Sequence, residues 1–194
     1  SNNGDDVAVN VGDKTYTVKT ARGLAWIAWV TNEVKTTANE GETHSAYYPA
    51  TAGFKDCTVM LNGNISLAKP GSGVAEGFKE NWEPIGKDDY KRFKGTFKGN
   101  NHTISGMKIG GTVDFISIGF FGGLDEATVM DLTVGGEISL TGYNGTMFTI
   151  SIGGIAGVVL NKTKIINCHN ACKITGSGIE KNIRAGGIAG QIHN

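Results

Sequence analysis

Apolar and polar positions change their spacing several times along this chain, and the changes divide it into segments. Val7, Val9 and Val11, then Tyr16 and Val18, alternate loosely around Gly12-Asp13, which predicts a hairpin or a pair of edge strands. From Thr20 the spacing lengthens. Leu24, Ile27, Ala28 and Val34 fall on one face, with Trp26, Trp29 and Val30 widening it. Thr20 suits the N-cap position, so a short amphipathic helix is expected over about 21–34. Between Thr36 and Lys55 there is no period; this stretch holds Tyr47-Tyr48-Pro49 and reads as a long loop. Strand spacing then returns. Cys57, Val59 and Leu61 alternate, Asn62-Gly63 turns, Ile65 and Leu67 follow, and a glycine-rich loop spans Ala68 to Glu80.

From Phe93 the chain repeats itself. Gly119-Phe120-Phe121-Gly122 matches Gly154-Ile155-Ala156-Gly157 and then Gly187-Ile188-Ala189-Gly190, at intervals of 35 and 33 residues. A second phrase follows the first two copies, Val129-x-x-Leu132 and Ile165-x-x-Cys168, with Ile104-x-x-Met107 as its upstream echo. Self-similarity on this scale marks a solenoid, here an all-β one, in which equivalent residues of successive coils stack about 4.8 Å apart and inward side chains form ladders. Glycine supports this: there are 30 against an average usage of about 7%, while prolines number only 3. Many glycines close apolar stretches, from Gly95 and Gly99 to Gly153 and Gly154, where tight turns are expected to need positive φ.

A solenoid needs covered ends, because a bare coil exposes unpaired backbone groups. The helix at 21–34 is placed to cap the first coil. At the other end the sequence stops at Gln191-Ile192-His193-Asn194, after a third motif that lacks its second phrase, so further coils or another chain are expected against that face. One domain is expected over 7–194 behind a disordered polar tether at 1–6, with 7–92 as N-terminal cap, helix and first coil and 93–194 as the repeats.

Charge and chemistry narrow the function. Lys plus Arg and Asp plus Glu are both 18, which argues against nucleic acid and anionic lipid as partners. No apolar run approaches the ~20 residues of a membrane span, so no membrane insertion is expected. No basic-then-apolar leader precedes Ser1, so the chain reads as soluble and mature, with any lipid anchor upstream of Ser1. Cys57, Cys168 and Cys172 are odd in number and lack metal spacing; they read as buried thiols, and Cys168 and Cys172 can bridge only if the chain turns between them.

Acids are sparse in the repeats. Asp114, Asp125, Glu126, Asp131, Glu137 and Glu180, with Arg184 as the one arginine after Arg92, are the residues an active site would have to draw on, and they read as ordinary loop charges. Asp88-Asp89 reads as a turn in preference to a calcium site. His102 reads as a structural turn residue with Gly99 and Asn100, bonding across to a neighbouring coil. Trp26, Trp29 and Trp82 read as core in preference to sugar-stacking platforms, whereas Tyr47 and Tyr48, in a loop with no packing duty, are the candidate ligand-binding residues.

The repeated Gly-Phe-Phe-Gly and Gly-Ile-Ala-Gly phrases resemble the GLUG-motif repeat family. Asn81-Trp82-Glu83-Pro84-Ile85-Gly86, the stretch Phe93 to Gly106 and the helix at Gly23-Leu24-Ala25-Trp26-Ile27-Ala28 carry the same likeness, over roughly residues 16 to 194. Phe or Ile stands where the signature has Leu, and Lys98 stands where the family commonly has Asp. The resemblance implies a right-handed, single-stranded parallel β-helix of the pectate-lyase kind, displayed outside a bacterial cell. It implies adhesion as the usual function and no particular ligand; with the repeat, the neutral charge and the sparse acids, the chain reads as a binding or adhesion scaffold without catalytic activity, metal or cofactor, with a glycan or a host surface protein as the expected partner. A polysaccharide-degrading lyase or hydrolase and a structural stalk are the alternatives.

Overall fold

The computed structural model describes residues 6–33, 52–68 and 81–193, and Tyr47 and Tyr48 lie outside them. The opening alternation forms the expected hairpin, β1 (Val7–Asn10) antiparallel to β2 (Thr15–Val18). The helix α1 (Ala21–Glu33) follows. Thr20 caps it: the Gly23 N–H donates to Thr20 Oγ1 at 3.1 Å and the Leu24 N–H to the Thr20 carbonyl at 3.1 Å.

Beyond the hairpin, the strand pairings among the described residues are parallel. β3 (Thr58–Leu61) joins β2, and β5 (Thr96–Val113) pairs with β3 and with β4 (Ile65–Ser66). The long strand β5 leads into two short ones, β6 (Ser117–Ile118) and β7 (Phe121–Asp125). The same order recurs as β8 (Thr128–Tyr143), β9 (Thr149–Gly153) and β10 (Ala156–Leu160), then as β11 (Lys164–Gly176), β12 (Asn182–Gly186) and β13 (Ala189–His193). Equivalent strands stack into three parallel sheets, giving a β-solenoid of about four turns. No helix among the described residues is long and apolar enough to cross a membrane.

Inward side chains form the expected ladders. Tyr16, Val59, Phe97, Val129 and Ile165 share one row by strand register, and all but Ile165 are fully buried. The four-residue motifs are also in register, Phe121 with Ala156 and Ala156 with Ala189. The upstream echo is not. Val129 pairs with Phe97 and Leu132 with His102, while Ile104 and Met107 pair with Val134 and Gly136. The cause is a register shift, in which Gly99, Asn100 and Asn101 stand opposite Asp131 alone.

That shift is also where the coils bend. Asn100 (φ 52°), Asn101 (φ 61°), Asp131 (φ 54°) and Asn167 (φ 49°) adopt the left-handed conformation that Asn and Asp tolerate best among residues with a side chain. Their side chains tie neighbouring coils together. Asn100 Nδ2 donates to the Leu61 carbonyl at 2.8 Å, and Asn167 Nδ2 donates to Asp131 Oδ1 at 2.8 Å. The cross-coil bond therefore belongs to Asn100, and His102 occupies the ladder row of Leu132 and Cys168, half-buried.

The motif glycines serve close approach and not positive φ. None of Gly119, Gly122, Gly154, Gly157, Gly187 and Gly190 has a positive φ. A Cβ on Gly157 would strike the backbone nitrogen of Ile118, and one on Gly190 that of Ile152. The sheet through β7, β10 and β13 thus packs backbone to backbone against the sheet through β6, β9 and β12, at positions only glycine permits.

Candidate functional site

The phrase Asn81-Trp82-Glu83-Pro84-Ile85-Gly86 builds one wall of a cleft beside α1. Asn81 clasps Gly110 of β5, donating to its carbonyl at 2.8 Å and accepting from its N–H at 3.1 Å. The Trp82 indole N–H donates to the Phe120 carbonyl at 3.0 Å, and its ring stacks on the Phe120 ring with centroids 5.3 Å apart. The fully buried Asn32, near the end of α1, donates to the Pro84 carbonyl at 3.0 Å. It accepts from the N–H groups of Gly86 and Lys87 at 2.8 and 3.1 Å. Gly86 turns at φ 75° to allow this. Helix, phrase and first full coil are thereby one rigid unit.

The cleft has a volume of about 600 Å³. Its helical wall is one face of α1, where Arg22, Ala25, Trp26 and Trp29 recur at i, i+3, i+4 and i+7. Asn81, Glu83 and Lys87 line the opposite side, and the end of β5 with Asp114 and Phe115 closes it. Trp82 is buried and Trp26 half-buried, as a core reading predicts, but Trp29 is 49% exposed and stands open to the cleft. That corrects the core assignment for Trp29. The width of the apolar face of α1 was the signal: it carries more indole than the coil beneath it covers.

Four of the five charged residues that line the cleft are compensated in pairs. Asp6 accepts from Thr20 Oγ1 at 2.6 Å and meets Arg22 Nε at 3.3 Å, while Lys87 pairs with Glu83, four residues before it. The terminal amino groups of Arg22 bond to nothing among the described residues, and its side chain is 52% exposed. Asp114 is exposed and forms no ion pair among the described residues.

The carboxylates of the repeats do not converge. Asp125 is held by Lys94 Nζ at 2.8 Å and by Asn161 Nδ2 at 2.8 Å, and Asp131 by Asn167. Burial acts to raise the Asp125 carboxyl, but the bonds from Lys94 and Asn161 and the charges of Lys94 and Arg92 outweigh it and hold it below the usual carboxylate range. Asp88-Asp89 forms the expected turn, with the Lys91 N–H on the Asp88 carbonyl and Arg92 on Asp89 at 3.1 Å. No group of three or more His, Cys, Asp or Glu among the described residues could hold a metal ion.

Cys57 is buried, and Cys168 and Cys172 are half-buried along the single strand β11, all as free thiols. Burial pushes Cys172 up to about 11, so it stays protonated at neutral pH. Comparison with protein-family models, with curated proteins and with solved structures found no match for this chain.

Proposed function

We propose that this chain is a binding scaffold displayed outside a bacterial cell, of the GLUG-repeat kind, whose coils hold a glycan-recognition cleft between α1 and the Asn81–Gly86 phrase. The observation that carries this reading is Trp29, an indole half open to solvent at the rim of a built, polar-edged cleft. A pyranose ring offers an apolar C–H face to an indole and a rim of hydroxyls to the surrounding carboxylate and guanidinium groups, and this cleft supplies both. The adhesion role, in place of catalysis, is supported by Asp125 and Asp131, whose carboxylates are both spent on cross-coil bonds.

Binding to immobilised plant, mucosal and glycosaminoglycan polysaccharides tests the reading. The wild type is expected to retain at least one of them, and Trp29→Ala is expected to weaken that binding about tenfold with unchanged circular dichroism. Retention unaffected by Trp29→Ala would remove the cleft from the account. Fragments released from soluble substrate and read by mass spectrometry would replace the adhesion role with an enzymatic one.

A further inference from the structure

We infer that the cleft selects an uncharged oligosaccharide, laid lengthwise along α1 from Arg22 to Trp29; this rests on the reading of the cleft as a glycan site. The charges decide the class. Arg22 is tied through Nε to Asp6, and Lys87 is tied to Glu83, so both cations are matched by carboxylates already in the cleft. Among the described residues an acidic sugar would meet no unmatched positive charge, and it would also face Asp114. Matched pairs still leave strong directional donors and acceptors. They suit hydroxyl groups, which can give and receive a hydrogen bond without bringing charge of their own.

The geometry sets the length. Arg22 and Trp29 lie seven residues apart on one face of α1, about 10 Å along the axis at 1.5 Å per residue. A single sugar ring stacked on Trp29 does not reach the Arg22 fork, whereas a disaccharide or longer oligomer spans both. Arg22 is also ready for the task. Asp6, itself only 14% exposed, is anchored by Thr20, and Thr20 is fixed as the cap of α1, so the guanidinium is held at Nε while its two amino groups bond to nothing among the described residues. Preorganised donors of this kind lose little freedom when a ligand arrives.

Calorimetric titration separates the classes with defined probes. These are neutral gluco-, manno- and galacto-oligosaccharides with their monosaccharides, galacturonate oligomers and sialyllactose as acidic probes, and chitosan oligomers as cationic ones. Neutral oligomers are expected to bind. Their affinity should change less than about twofold between low and high salt, because no net charge is neutralised. Monosaccharides should bind about tenfold more weakly or worse. Trp29→Ala and Arg22→Lys, both at exposed positions, should each weaken oligomer binding about tenfold, the second by losing the planar fork while keeping the charge.

Tight, salt-sensitive binding of the acidic or the chitosan probes would overturn the inference while leaving the cleft as a glycan site. Neutral oligomers binding no better than their monosaccharides would overturn the lengthwise placement. No binding by any class, or binding indifferent to both substitutions, would overturn the cleft reading itself and the inference with it.

Discussion

The two ends of the solenoid are built from the same coil and finished differently. At the N-terminal end, Tyr16, Phe54, Phe93, Phe97, Phe120 and Phe121 are fully buried in one aromatic cluster under α1, with ring centroids 4.9–6.3 Å apart. At the other end β11, β12 and β13 each pair on one side only among the described residues, and the rows end in half-exposed side chains. Val129 is fully buried and Ile165, next in its row, is not; Ile166, Ile183 and Ile192 are exposed at 47%, 42% and 68%. The first copy of the motif carries Phe-Phe and the later copies Ile-Ala for the same reason. Phe120 and Phe121 pack against the rings of Trp82, Phe93 and Phe97, whereas Ala156 stands in register with Phe121 and Ala189 of the neighbouring coils. A solenoid's stability is a sum over neighbouring coils, so each residue's worth depends on how many coils touch it.

The largest expected effect breaks the comparison at its strong end. Phe97→Ala removes a fully buried ring from contacts with Phe93, Phe120 and Phe121, and should cost about 3–5 kcal/mol in urea unfolding. Ile174→Ala removes a half-buried side chain from the corresponding inner face of β11 and should cost about 1 kcal/mol. Equal losses would show that the last coil is as firmly packed as the first.

The repeat interval was legible because stacked coils must present like residues at like positions, and the motifs at Gly119, Gly154 and Gly187 do stand in adjacent coils. The hairpin, the Thr20 cap and the bounds of α1 were legible for the local reason that each is written in a few consecutive residues. The register of β5 was not. Spacing along the chain cannot register that three residues oppose one at a bulge, so Ile104-x-x-Met107 looks like the phrase whose place Phe97 and His102 hold. Nor could glycine content tell positive φ from missing Cβ: Gly136 turns at φ 148°, but Gly157 is there for the backbone of Ile118. Of the cleft, the Trp82 phrase and the helix were visible separately. Their meeting depends on Asn32, a buried polar residue near the end of the helix that reaches residues more than fifty positions away.

A middle-sized effect sharpens the comparison at that junction. Asn32→Ala leaves the Gly86 and Lys87 N–H groups and the Pro84 carbonyl without their partner in a buried setting, at a cost of about 3 kcal/mol. The damage should be local to the capped end. Hydrogen exchange is expected to accelerate in α1 and around Ile85 while β9 and β10 keep their protection. Uniform acceleration along the chain would mean that the ends do not behave as separable regions.

The smallest expected effect tests the link between the two regions. Asp125 joins Lys94 of the capped end to Asn161 in the loop after β10, and its carboxyl is held below the usual range by those partners. The unfolded chain lacks them, so its Asp125 binds a proton more readily. The stabilisation is therefore complete above the unfolded pKa of about 4 and is lost as pH falls through the lower folded value. Because Lys94 is 32% exposed, the contribution should be no more than about 1 kcal/mol. Lys94→Met is expected to lower stability at neutral pH by that amount and to flatten the acid limb of the stability curve below pH ~4. A variant that loses stability equally at all pH values would assign the role of Lys94 to the packing of its aliphatic stem, and the coupling between the ends to backbone pairing alone.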